Sequence, residues 1–220
     1  MVDTQYYKQF GRNLRKLRES IGKSTQIFAM DCDCSAYTIQ NYELGRKGPN
    51  LKRFLTICNA TGASPNQLLS GLYSDSSELR AIRSLRETFG KLLPSDRQRL
   101  TAALEIIAKC MMDTAPSLAS AGFGTRLHLL RLDTGLSVDT FAAKCSIAKS
   151  TLQGYESGQY DPSIPALLQL CETLDVSPEY LLADKLEKAA FPDQRLLNLR
   201  PRQITALHEA AAYLSNSSNK

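Results

Sequence analysis

Long apolar runs are missing from these 220 residues. None approaches the ~20 consecutive apolar positions of a membrane-spanning helix, which excludes one. Histidine is scarce as well. With two histidines, and no further Cys/His group at zinc spacing after Cys32-x-Cys34, a metal centre is not expected. The opening stretch MVDTQYYKQF lacks the apolar core of a secretory signal. The expectation is therefore a cytoplasmic protein whose cysteines (Cys32, Cys34, Cys58, Cys110, Cys145, Cys171) stay reduced. No segment sustains the alternation of a β-strand. No nucleophile, second acid or ligand set accompanies Glu43, so neither enzymatic activity nor a cofactor is expected.

What is present is ordinary for a folded chain: 43% apolar and 22% charged residues, with a net charge of +5. The distribution of that charge is more informative. Residues 1–72 carry 10 Lys/Arg against 5 Asp/Glu, whereas residues 119–184 carry 4 against 8. One end suits a polyanion and a later segment does not.

An internal repeat organises the chain. Shifting the sequence by 113 residues aligns Phe10–Leu69 with Phe123–Leu182 without a gap. Leu14/Leu127, Leu17/Leu130, Arg18/Arg131, Ala29/Ala142, Tyr42/Tyr155, Glu43/Glu156, Pro49/Pro162 and Pro65/Pro178 are among the identical pairs. The two copies must share one fold. Each reads as five short helices. Phe10, Leu14, Leu17 and Ile21 lie at helical spacing before Gly22. Ser24 caps a second helix with Ile27, Phe28 and Cys32 inward, and Ser35 caps a third with Ile39 and Tyr42 inward. Leu51, Phe54, Leu55 and Cys58 mark a fourth, and Ser64-Pro65 opens a fifth. The fold class is all-α.

Two short helices joined by a tight turn, the second polar on its outer face, are the geometry that enters a DNA major groove. Leu14-x-x-Leu17-Arg18, Gly22-x-Ser24, Ser35-x-x-Thr38-Ile39-x-x-Tyr42-Glu43-x-Gly45 and Ser64-Pro65-x-x-Leu68-Leu69 together resemble the Cro/XRE-type, phage-repressor-like helix-turn-helix family. The second copy repeats the pattern. The resemblance implies two five-helix DNA-binding domains and a transcriptional repressor. It also implies that Thr25, Ala36, Tyr37 and Asn41 touch DNA, with Ser35 at the helix start, and that Arg18–Glu43 and Arg131–Glu156 are structural ion pairs. The family often carries glutamine where Thr25 stands; here Gln26 comes one residue later and points about 100° away.

From the residues themselves, the outer face of the third helix offers Ala36, Tyr37, Gln40 and Asn41. Amides such as Gln40 and Asn41 can pair bidentately with adenine, and Ala36 can meet a thymine methyl. Arg46 and Lys47 follow, placed for phosphates, which supply affinity more than sequence choice. The second copy offers Lys149, Ser150 and Gln153, with Gly154 opposite Asn41 and Gln159-Tyr160-Asp161 in place of the basic loop. It is the weaker DNA reader.

The chain divides into a first basic domain (1–72), a helical linker (73–118), a second acidic domain (119–184) and a C-terminal helix with a disordered tail (185–220). The linker can form a helix striped by Leu100, Leu104, Ile107 and Met111, and the C-terminal segment one striped by Ile204, Leu207, Ala211 and Leu214. Neither stripe can be buried by one helix alone. Each therefore needs the other, as an intramolecular pseudo-dimer, or the same helix of a second chain. The uneven charge favours a homodimer bound to double-stranded DNA through its first copies. The other class of function is a protein-interaction module, antirepressor or antitoxin-like, whose acidic copy binds a protein partner instead of DNA.

Overall fold

The computed structural model describes residues 2–91, 98, 101–102, 106, 121–186 and 199–217. Leu100, Leu104, Ile107 and Met111 lie outside the described residues, as does the side chain of Leu214. The described residues form helices without strands. The first copy comprises α1 (Val2–Ser20), α2 (Thr25–Asp31), α3 (Ala36–Glu43), α4 (Leu51–Thr61) and α5 (Pro65–Leu68), followed by α6 (Ser77–Lys91). The second comprises α7 (Phe123–Asp133), α8 (Val138–Lys144), α9 (Lys149–Glu156), α10 (Ile164–Leu174) and α11 (Pro178–Leu181), with α12 (Pro201–Ser217) last. Among the described residues, no helix is long and apolar enough to cross a membrane.

The caps follow from local chemistry. Ser24, Ser35, Asn50 and Ser64 each accept a hydrogen bond from the backbone N–H three residues on, which satisfies a donor the helix leaves open. Ser137, Ser163 and Ser177 do the same in the second copy. Helix α9 departs from its counterpart α3: Ala148 stands where Ser35 does and supplies no side-chain cap. Two expected core residues lie outside. Ile21 is beyond the last turn of α1, and Ile27 is 52% exposed because Phe28, Ala29 and Cys32 turn the other side of α2 inward. The core instead gains Ile57 and Tyr6, the latter stacked on Phe10.

Close approach of backbones sets each domain. A Cβ on Gly11 would stand 2.8 Å from the Glu43 carbonyl oxygen and closer still to that of Tyr42. At Gly124 it would stand 2.7 Å from the Tyr155 carbonyl, so glycine lets the first helix lie against the end of the third in both copies.

The copies meet through α5 and α11. Asn66 Oδ1 accepts the backbone N–H of Glu179 at 3.2 Å, and Asn59 Nδ2 donates to the Lys185 carbonyl at 3.4 Å. Asp175 occupies the left-handed position that Gly62 holds in the first copy (φ 54° against 68°). Its carboxylate accepts the N–H of Ser77 at 2.9 Å and so caps α6. Helix α6 packs against α12, burying Ala81, Ile82 and Leu85 on one and Ile204, Leu207 and Ala211 on the other. His208 Nε2 lies 2.7 Å from Ser84 Oγ across that contact. This corrects the expectation that Ile204 and Leu207 serve dimerisation with the 100–111 stripe or a second chain: they are buried inside this chain, and their described partner is α6. The helix α12 starts with Pro201, and the Gln203 side chain returns to accept the Arg200 N–H at 2.7 Å.

Candidate nucleic-acid interface

The turn between α2 and α3 is built by Asp33, at φ 51°, and held by a residue from outside it. The Arg53 guanidinium on α4 donates to the carbonyls of Cys32, at 2.7 Å, and of Asp33. The repeat comparison gives no hint of this clamp, because the equivalent residue is Ala166. Burial pushes the Cys32 thiol up to about 12, and together with its position under the turn this makes it a core residue.

Ser35 then starts α3, its Oγ accepting the Thr38 N–H at 3.1 Å and lying 2.9 Å from Thr38 Oγ1. With Ile39 and Tyr42 turned into the core, the outer face carries Tyr37, 68% exposed, and Gln40. Ala36 and Thr25 are half-buried at the two helix starts. Asn41 departs from expectation. It is only 6% exposed; Nδ2 donates to the Tyr37 carbonyl at 2.9 Å, and Oδ1 accepts from Arg46 Nη1 at 3.3 Å. Asn41 is thus not presented on the outer face where its position on α3 would place it, and its side chain instead holds Arg46 beside that face. Lys47 projects next to it with Nζ 5.7 Å from the centre of the Tyr42 ring, a cation–π distance. Tyr37 and Gln40 on α3, and Arg46 and Lys47 just after it, are all exposed. Met30 is 78% exposed on α2, on the side of the helix opposite the buried Phe28 and Cys32.

The equivalent surface of the second copy is partly closed by its own residues. Lys149, Ser150 and Gln153 are exposed on α9. Lys149 Nζ, however, is paired with Asp139 at 2.9 Å. The Tyr160 ring lies over Gly154, with a ring carbon 2.8 Å from where a Cβ would stand, which is why glycine occupies a helix interior there. Tyr160 fills the place of Lys47 and so substitutes an aromatic lid for a cation.

Each third helix is tied to the first by an ion pair. Arg18 Nε stands 2.6 Å from Glu43 Oε1, with a second bond of 3.0 Å from Nη2 to Oε2. Arg131 Nε stands 2.6 Å from Glu156 Oε1, and His128 Nδ1 joins that carboxylate at 2.9 Å. His128 is therefore part of the tie, not a free surface residue. Burial alone would raise the Glu156 carboxyl, but the hydrogen bonds from Arg131 and His128 outweigh it and hold the group below its ordinary value. A depressed folded value contributes stability above the unfolded value of about 4.3, and this is lost as pH falls through the folded value. The urea midpoint should therefore drop more steeply below about pH 5 in the wild type than in Glu156→Gln. Equal slopes would mean that the carboxylate contributes no ionic stabilisation.

Two family models, each described as a helix-turn-helix domain, match residues 11–74 and 123–183. The HTH-type transcriptional regulator AnsR of Bacillus subtilis (strain 168) is 39% identical over 67 residues, which cover 30% of this chain and 58% of that protein. No solved structure matches the chain. The repeated helix pairs, their shared caps and ties, and these two matches agree: the chain carries two tandem helix-turn-helix domains of the Cro/XRE type.

Proposed function

We propose that the chain is a sequence-specific DNA-binding transcriptional regulator, a repressor acting in the cytoplasm, in which α3 reads the major groove. One observation carries this reading: Tyr37 and Gln40 are exposed side by side on α3 and flanked by Arg46 and Lys47, in the half of the chain with surplus positive charge. Gln40 supplies the bidentate amide, Tyr37 and Ala36 meet base edges or methyls, and Arg46 and Lys47 take phosphates. Ser35 and Thr25 place helix N-termini toward the backbone.

The test is binding of the full chain to duplexes selected from random DNA. Tyr37→Ala combined with Gln40→Ala should reduce preference for the selected sequence by roughly tenfold or more, since each good base contact discriminates by about 1–3 kcal/mol. Arg46→Ala should weaken all sequences alike and reduce the salt slope by about one. If sequence preference survives the double substitution, α3 is not the reader.

A second reading has a specific observation behind it. The Lys149–Asp139 pair, the Tyr160 lid and the acidic balance of the second copy favour a protein partner, such as an antirepressor, docking on α9. Absence of any site-selective binding across a salt series would favour that reading for the whole chain.

A further inference from the structure

We infer that one chain, rather than two, occupies a bipartite DNA site with inverted and unequal halves, strong under α3 and weak under α9. The inference rests on the proposed DNA reading by α3 and concerns the shape of the site it reads.

The contacts between copies carry it. Asn66 and Glu179 are equivalent residues, 113 apart, and they touch each other. Residues meet their own equivalents only beside a two-fold axis; a head-to-tail arrangement brings different surfaces together. A two-fold also requires every other contact to recur with the partners exchanged. Asn59 meets Lys185 on one side, and their equivalents, Glu172 and Leu72, line one cleft on the other. The two clefts correspond further: Leu55 and Thr56 line the first, and Leu168 and Gln169 line the second. The copies are therefore arranged as an isologous dimer is, although the chain delivers them in tandem. Such an axis turns the direction of reading around between α3 and α9, so the half-sites are inverted, not directly repeated.

The halves are unequal because the faces are. Gln40 and Gln153 are equivalent and both exposed, so the same base preference should appear in both halves. Around them, Tyr37 becomes Ser150, Lys47 becomes Tyr160, and α9 lacks the cap that Ser35 gives α3.

The experiment uses the full chain and a random duplex library, with native mass of the complexes formed on the selected DNA. The expected result is one chain per duplex. Base changes in the strong half should weaken binding roughly tenfold each, and a weaker copy of the Gln40 preference should recur on the opposite strand. Gln153→Ala should erase that second preference and leave the first intact. Recurrence on the same strand, two chains per site, or a single half-site unaffected by Gln153→Ala would each overturn the inference while leaving α3 as the reader. Failure to select any sequence would overturn both.

Discussion

Replacing Asp184 with alanine is expected to lower the stability of the second domain by roughly 1–3 kcal/mol, the loss typical when a buried donor is deprived of a solvent-accessible acceptor. Arg126 is fully buried on α7, with Nη1 3.3 Å from the Leu181 carbonyl and 3.2 Å from Asp184 Oδ1. Burial pulls its guanidinium below the ordinary value and Asp184 acts in the opposite direction. Asp184 also caps α7: Gly122 has no side chain to offer, and Asp184 Oδ2 accepts the Phe123 N–H at 3.0 Å. The first copy solves the same problem without charge. Asn13 stands in place of Arg126, donating to the Leu68 and Ser70 carbonyls at 2.9 Å each, and Gly71 stands in place of Asp184. The double variant Arg126→Asn with Asp184→Gly should therefore recover most of the loss. A deficit of about 1 kcal/mol should remain, because the start of α7 has lost its cap. Urea unfolding followed by circular dichroism measures both. A single variant as stable as the wild type, or a double variant no better than the single, would show that Arg126 does not depend on this carboxylate.

The second large effect is expected at Gly11. In an isolated helix, Gly→Ala stabilises by about 1 kcal/mol. Here the added methyl meets the carbonyls of Tyr42 and Glu43, which are backbone atoms and cannot swing aside. The end of α3 must move off α1, and the Arg18–Glu43 pair that bridges them must lengthen. Overpacking of this kind costs about 1–3 kcal/mol or more, so the sign reverses. Gly11→Ala should lower the melting temperature of the first domain by roughly 4–8 °C per kcal/mol lost. A raised or unchanged melting temperature would show that the two helices separate freely. Gly124→Ala should behave alike in the second domain, because the approach recurs there.

Much of each domain was legible from residue pattern. Serine caps, the apolar spacing of Leu14 and Leu17, and the 113-residue repeat report on local backbone and shared core, which sequence encodes directly. Asn41 was misread because periodicity places it one turn from Tyr37 but does not say how far the stripe extends before the loop at Arg46 covers it. Ile27 misled for the same reason at the opposite edge of α2. Residue pattern does not specify the pairing of α6 with α12, since α6 is a charged helix with only a short apolar stripe at Ala81, Ile82 and Leu85. Contacts between copies, such as Asn66 with Glu179, follow from docking of finished surfaces, and no periodicity within either copy specifies them.

The contact of Asn66 with Glu179 frees the two halves to differ. In a dimer of identical chains, a residue beside the axis faces itself, and every substitution is made twice. Two second copies paired in this way would place two buried Glu179 residues beside one axis, adding like charge to a junction of low dielectric. Within one chain Glu179 meets Asn66 instead, and each side of the junction is free to change alone. Covalent fusion thus permits a junction that self-association would penalise, and it lets one reading face retain its side chains while the other is remodelled.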